Sequence, residues 1–386
     1  MPQYKQSYVQ DYKYGYYTNH NKYAQNVKPA IRKRKVIKKK TNPFAFIFRL
    51  VFATIFFLYI SPVYIDQITR PVFLQTEKYP AIKTDINMLA HPTTAYLHNN
   101  HVLGVNLLSE TNLKKPQMQS LYETYHLNVL ENNLKHLASA HPALKPSIYV
   151  WDYESGKFAD INANEVYSTA SIIKIPVLIQ LFKAIEMGMI KLDDKIAMTP
   201  YYKSEGSGSL QFKGVNAVYT VDELARVMIT ESDNSATNML LDATGGMNAM
   251  NQSLRKWGMK ETRINDWLPD LKGTNVTTSK EMATLLYNLD NPNFLTLNSR
   301  EKMVDYMSHV HNNRLIQAGL PPSAIFIHKT GDIGKMLGDA GIVYTPNGKK
   351  YIVVMLVNRP YNSVEGKDFI VSASSLIYNY MVNTDI

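Results

Sequence analysis

The sequence predicts an α+β domain behind a single membrane-spanning helix, and three observations carry that expectation. An apolar stretch over 43–65, with Arg49 as its single charge, follows a cluster of seven basic residues within nine positions, Arg32 to Lys40. After Pro116, strand-like segments occur near both ends of the remaining chain. Between them the pattern is helical. One antiparallel sheet built from both chain ends, flanked by helices and completed by an all-helical subdomain, satisfies that order.

The chain has 386 residues, enough for two to three domains, and its 45% hydrophobic and 19% charged content allows a sizeable core. Disordered and collagen-like classes are thereby excluded. Cysteine is absent, which removes disulfides, thiolate metal sites and a cysteine nucleophile. The net charge of +10 is local: residues 1–41 hold eleven Lys/Arg and one acidic residue, Asp11, while the rest holds 31 of each sign. The folded part is therefore neutral, and no nucleic-acid partner is expected.

Residues 1–42 read as a basic, disordered, cytoplasmic tail, rich in Tyr, Gln, Asn and Lys without apolar period. From Pro43 to Ile65 the single charge is Arg49. Those residues in a helix reach roughly 35 Å, enough for a hydrocarbon core of about 30 Å. Arg49 lies one turn inside, where it can snorkel to the headgroups. Tyr59-Ile60-Ser61-Pro62 is a poor cleavage site, so the segment reads as an uncleaved signal anchor rather than a signal peptide. Positive charge on the N-terminal side places the tail in the cytoplasm and the remainder outside the cytoplasmic membrane, periplasmic or extracellular. Residues 66–115 read as a stalk or linker, and 116–386 as the folded domain.

Within that domain, Gln117 to Ala140 is expected as a helix with Leu121, Tyr125, Val129, Leu134 and Leu137 on its apolar face. Residues 147–153 and 157–160 read as a strand pair. A long helix follows Ser171, and Thr220-Val-Asp-Glu223 is a capping box opening another. Residues 324–329, 340–344 and 351–357 read as strands, the last two joined by a hairpin at Pro346-Asn347-Gly348-Lys349, and 369–382 as a final helix.

Three sites match Ser-x-x-Lys, at Ser171, Ser253 and Ser299. The last two sit in polar, charged stretches. Ser171 opens an apolar helix through Ile172, Ile173, Val177 and Leu178, so its hydroxyl lies where unpaired N–H groups favour developing negative charge. Lys174 lies on the same face, within reach. To serve as a base it must lose its proton, through burial or a neighbouring cation. Lys329-Thr330-Gly331, at the end of a strand, can bring that cation, and Ser232-Asp233-Asn234 interrupts a helical pattern between them.

Ser-x-x-Lys, Ser-Asp-Asn and Lys-Thr-Gly in that order, 61 and 97 residues apart, resemble the penicillin-recognising serine hydrolases, and within them the class A β-lactamases. Met228 to Leu241, Gly245-Gly246 and Lys174-Ile175-Pro176 extend the likeness, which covers roughly 117–384. The resemblance implies the β-lactamase/transpeptidase-like fold and a set of roles. Ser171 would carry the acyl group, Lys174 would take its proton, and Ser232 would relay a proton to the leaving nitrogen. Asn234 would bond Lys174 and the substrate amide. Lys329, Thr330 and Gly331 would form the substrate-carboxylate wall, and the N–H groups of Ser171 and Asp332 an oxyanion hole. A carboxylate at Asp332, beside an anion site, departs from expectation. No cofactor or metal is implied, and His98, His101, His309, His311 and His328 read as loop or structural residues. The loop Glu205-Gly-Ser-Gly-Ser-Leu210 either borders the site or is a flexible connection.

A second departure bears on turnover. The resemblance implies a loop glutamate that activates the deacylating water, yet the matching stretch, Thr262 to Leu271, places Leu268 there. Asp270 is the alternative base if the loop folds in another register. The expectation is a membrane-anchored, monomeric serine hydrolase acting on β-lactams or cell-wall peptides ending in D-Ala-D-Ala, with slow deacylation. A D,D-peptidase and a covalent β-lactam sensor stay open beside it. A tail that binds anionic lipid as the main function is a third reading.

Overall fold

The computed structural model describes residues 118–383. The expected tail, anchor and stalk, and the pair His98 and His101, lie outside the described residues. Among those described, no helix is long and apolar enough to cross a membrane.

The chain runs through helix α1 (Asn128–Ser139), strands β1 (Lys145–Asp152), β2 (Phe158–Ile161) and β3 (Tyr167–Ser168), a 3-10 turn Ala170–Ile173, and helix α2 (Lys174–Glu186). Strands β4 (Lys195–Ala197) and β5 (Val218–Thr220) follow. Next come helices α3 (Val221–Thr230), α4 (Asn234–Ala243) and α5 (Gly246–Lys256), strand β6 (Val276–Thr277), and helices α6 (Ser279–Tyr287) and α7 (Leu297–Ser308). Strands β7 (Ile325–Ile333), β8 (Met336–Tyr344) and β9 (Lys350–Asn358) precede the final helix α8 (Glu365–Asn383).

The main sheet has the order β2-β1-β9-β8-β7, antiparallel throughout, so β1 from the start of the domain pairs with β9 from its end. Alternation along each strand sends residues to opposite faces. Tyr149, Trp151, Ile352, Val354 and Leu356 pack with the helical middle. Ile148, Val150, Val353, Met355 and Val357 pack with Leu130 and Leu134 of α1 and Phe369, Ile370, Ala373 and Ile377 of α8. Both faces are covered, which is why Tyr351 to Val357 is buried at every position. Helix α2 is buried on every side from Lys174 to Phe182, packing Ile175, Leu178, Ile179, Leu181 and Phe182 into the helical half, and it turns polar only at its end, where Lys183 pairs with Glu186. The expected capping box holds: Thr220 accepts from the Glu223 N–H, and the Glu223 carboxylate accepts from the Thr220 N–H at 2.7 Å. The hairpin also holds, with Gly348 at φ 86° and the Thr345 N–H donating to Lys349 O at 2.9 Å.

Two local expectations are corrected. The first helix begins at Asn128, not Gln117, and Tyr125 and Val129 are exposed. The preceding backbone hydrogen-bonds to β2 and the turn before it instead: Thr124 N–H to Gly156 O, Phe158 N–H to Tyr125 O, and Leu127 N–H to Phe158 O. Leu127, Leu130 and Leu134 form the buried face. The Lys-Thr-Gly strand does not end at Lys329; it continues to Ile333 because Thr330 to Ile333 pair with Asp339 to Met336.

Candidate active site

The site lies where β7, at the outer edge of the sheet, meets the turn that starts α2. Ser171 is the second residue of the 3-10 turn, not of an α-helix as expected, and that turn runs straight into α2. Ala170 before it has φ 42°, a left-handed conformation costly for a residue with a Cβ. Thr169 fixes the turn by donating its N–H and its hydroxyl to Asn275 O at 2.8 and 3.1 Å.

Lys174 is fully buried. Its Nζ lies 2.9 Å from Ser171 Oγ, 2.6 Å from Ser232 O, 3.1 Å from Ser232 Oγ and 2.9 Å from Asn234 Oδ1. Burial, and after it the Lys329 charge, hold the amine well below the usual lysine range, against an opposing pull from Asp233. A neutral amine has two N–H donors and one lone pair. Donating to Ser232 O and Asn234 Oδ1 leaves the lone pair for the Ser171 hydroxyl proton, so the neutral state satisfies this geometry.

The Ser-Asp-Asn motif is the joint between α3 and α4. Ser232 has φ 59°, a second left-handed non-glycine residue at the site; such strain gathers where surrounding structure enforces it. Asp233 caps α4, accepting from Ala236 N–H at 2.8 Å, and also accepts from Leu210 N–H at 2.7 Å. Asn234 Nδ2 donates to Glu205 O at 2.9 Å, and its N–H to Ser207 O at 3.1 Å. The Gly-Ser-Gly loop therefore borders the site. Gly208 (φ 91°) is required there, since a Cβ would stand 2.1 Å from the Asp233 carboxylate.

Lys329 is also fully buried and donates to its neighbour's carbonyl, Thr330 O, at 2.8 Å. Burial lowers its pKa to about 7, with buried Asp339 resisting the fall. Thr330 is buried next to it. Gly331 lets β7 approach the turn that carries Ser171: a Cβ would lie 2.7 Å from Thr169 O and 3.1 Å from Ile172. His328 is structural as expected, buried with Nδ1 2.8 Å from Asp339 Oδ1, and His309 Nδ1 lies 2.6 Å from Asp305 O on the surface. Asp332 sits at the rim, where its carboxylate accepts from Arg359 Nη2.

Leu268 is buried in the core of the helical half. Its carbonyl accepts from Asn238 Nδ2 at 2.8 Å and from Ser204 Oγ, and its N–H donates to Asn238 Oδ1 at 3.1 Å. Asp270 has both oxygens engaged inside its own loop, by Thr274 Oγ1 at 3.0 Å and Asn275 N–H at 2.6 Å. That geometry weighs against Asp270 as a base, because it closes the loop rather than facing outward.

Sequence reasoning missed three residues that organise this region: Asn238, Ser204 and Arg359. The spacing of Asn238 was a signal, since it stands one helical turn after Asn234. Nothing in the local sequence pointed to Ser204 or Arg359.

An α+β fold with a buried lysine against a serine hydroxyl defines a serine hydrolase of the β-lactamase/transpeptidase-like class. The chain belongs to the Beta-lactamase enzyme family, whose model matches residues 129–381. Beta-lactamase 3 of Bacillus cereus is 26% identical over 242 residues, covering 60% of this chain and 75% of that protein. The structure is similar to that of PBP-A, with TM-score 0.67 and 37% identity over 69% of this chain and all of that one. A leucine-to-glutamate mutant of PBP-A, an acyl-enzyme complex with penicillin G, matches with TM-score 0.66. An ancestral class A β-lactamase matches with TM-score 0.61 at 25% identity, over 65% of this chain.

Proposed function

We propose that this serine hydrolase opens β-lactam or D-Ala-D-Ala-like amides through an acyl-enzyme on Ser171, and that it releases the acyl group slowly. The 2.9 Å approach of the buried, proton-poor Lys174 amine to Ser171 Oγ carries the reading. Lys174 accepts the hydroxyl proton as Oγ attacks the carbonyl carbon. The N–H groups of Ser171 and Asp332 hold the oxyanion, an interaction typically worth about 3–4 kcal/mol in such sites. Ser232 Oγ, 3.1 Å from Lys174 Nζ, passes the proton to the leaving nitrogen as the C–N bond breaks. Lys329 and Thr330 receive the substrate carboxylate, and Asn234 the substrate amide.

Slow deacylation follows from Leu268. An aliphatic side chain cannot take a proton from water, and Asp270 is committed elsewhere. That observation favours a second reading of the same site, a penicillin-binding D,D-peptidase. The 37% identity to PBP-A supports it. We further propose that residues 43–65 anchor the chain in the cytoplasmic membrane, with the tail inside and the hydrolase domain outside, as the basic cluster next to the apolar stretch indicates.

The test is to offer the full-length protein a chromogenic cephalosporin and, separately, a peptide ending in D-Ala-D-Ala. Release of D-Ala with only stoichiometric cephalosporin opening fits the peptidase reading, and sustained cephalosporin turnover fits a β-lactamase. Neither product, with no covalent adduct, contradicts both.

A further inference from the structure

Thr169 opens the turn that carries Ser171. Its carbonyl accepts from the Ile172 N–H at 3.0 Å, while its own N–H and hydroxyl both donate to Asn275 O, at 2.8 and 3.1 Å. Between Thr169 and Ser171 stands the left-handed Ala170, a conformation that persists only where its surroundings enforce it. Asn275 applies that restraint from the far end of the Leu268 loop. Its side chain closes the neck of the loop: Oδ1 accepts from the Asn265 N–H at 2.7 Å and the Asp266 N–H at 3.0 Å, and Nδ2 donates to Asp266 O at 3.0 Å. Its N–H donates to Asp270 Oδ2 at 2.6 Å. Val276, next in the chain, exchanges backbone hydrogen bonds with Arg263 and pairs with Ser168 of β3. Asn275 and Thr169 are both buried, so bulk water does not replace a partner that either loses.

We propose that Asn275 is a positioning residue for acylation: it grips the neck of the Leu268 loop with its side chain and Thr169 with its carbonyl, and so holds Ser171 Oγ against the Lys174 amine. The inference rests on the reading in which Ser171 becomes acylated. A loop that carries leucine in place of a water-activating carboxylate then keeps a task of its own, in the step that forms the adduct rather than the step that ends it. Asn275 acts through Thr169 and moves no proton. Its effect is on where Oγ stands, and a displacement of about 1 Å at a reacting atom costs on the order of 10²-fold in rate.

The experiment measures the acylation rate constant for penicillin G and the lifetime of the adduct in the full chain, Thr169→Ser, Thr169→Val and Asn275→Ala. Thr169→Ser keeps the hydroxyl and should acylate as the parent does. Thr169→Val keeps the shape but loses the hydroxyl's bond to Asn275 O, and acylation should slow by about 3–10-fold. Asn275→Ala loses three side-chain hydrogen bonds, and acylation should slow by about 10²-fold. The adduct lifetime should stay unchanged in every variant, which a general loosening of the site would not allow. Parental acylation rates in Thr169→Val and Asn275→Ala, even with a lowered unfolding midpoint, overturn the positioning role alone. Equal slowing in Thr169→Ser and Thr169→Val does the same, because packing rather than the hydroxyl would then be responsible. If Asn275→Ala does not fold, the two Thr169 variants decide. Absence of a Ser171 adduct in the parent overturns the acyl-enzyme reading itself.

Discussion

Asn238 clamps the Leu268 backbone with both atoms of its amide, donating to the carbonyl at 2.8 Å and accepting from the N–H at 3.1 Å. The clamp comes from α4, whose first residue, Asn234, bonds Lys174. The leucine is therefore fixed relative to Lys174 through one helix. General-base activation of water contributes typically about 10²–10⁴-fold, and a deficit of that size is expected in deacylation. Lactam hydrolysis should show a burst and then a weak steady rate. Leu268→Glu should raise the steady rate, read by stopped-flow absorbance, without raising the burst amplitude. A wild-type steady rate already as fast as the burst contradicts this account of the loop.

Asp270→Asn should not trap the adduct further. Replacing the carboxylate weakens a charge-assisted hydrogen bond from the Asn275 N–H, a loss of about 1–3 kcal/mol. A lowered unfolding midpoint with an unchanged adduct lifetime is the expected pair of results. A longer adduct lifetime at unchanged stability would restore Asp270 as the base.

The rate should fall on the alkaline side for carboxylated substrates. Lys329, held at about 7 by burial, is charged below that pH and loses its charge as pH rises through it. Acylation efficiency for penicillin G, which reports the free enzyme, should therefore decline through about pH 7 more steeply than that for its methyl ester, which loses only the help that the Lys329 charge gives Lys174. The same lowered pKa means that between about 7 and 10.5 the unfolded chain binds more protons at this site than the folded one. The contribution of Lys329 to stability then grows as pH rises through that window. Parallel pH profiles for acid and ester would show that the Lys329 charge does not hold the substrate carboxylate.

Topology is open to a clean chemical test because the sequence has no cysteine. Ser7→Cys should be shielded from a membrane-impermeant thiol reagent in intact cells, and exposed Ser323→Cys should react. The reverse labelling pattern would refute the positive-inside argument.

Much of this architecture was legible in the sequence, for physical reasons that also mark where legibility stopped. Tyr351 to Val357 announces a strand because both faces are buried, and Thr220 to Glu223 announces a helix start because capping is local. Ser171, Lys174 and Ser232, singled out by the ordered motifs, do stand together in the structure, with the Lys174 amine within 3.1 Å of both hydroxyls. The stretch from Leu121 to Leu127 misled because an apolar pattern does not reveal that its backbone will bond to a neighbouring strand. Arg359 was invisible for a similar reason: 27 residues separate it from Asp332, and only the return of β9 beside β8 brings them together.

The most direct measurement is intact-protein and peptide mass spectrometry of the full chain mixed with penicillin G, beside Ser171→Ala and Lys174→Ala. The account predicts one penicilloyl adduct, mapped to the peptide containing Ser171 and persisting after free penicillin is removed. It should be absent in Ser171→Ala and form at least about 10²-fold more slowly in Lys174→Ala, where the hydroxyl has lost its base. An adduct of equal yield in Ser171→Ala, or mapped to any other residue, would contradict the central claim.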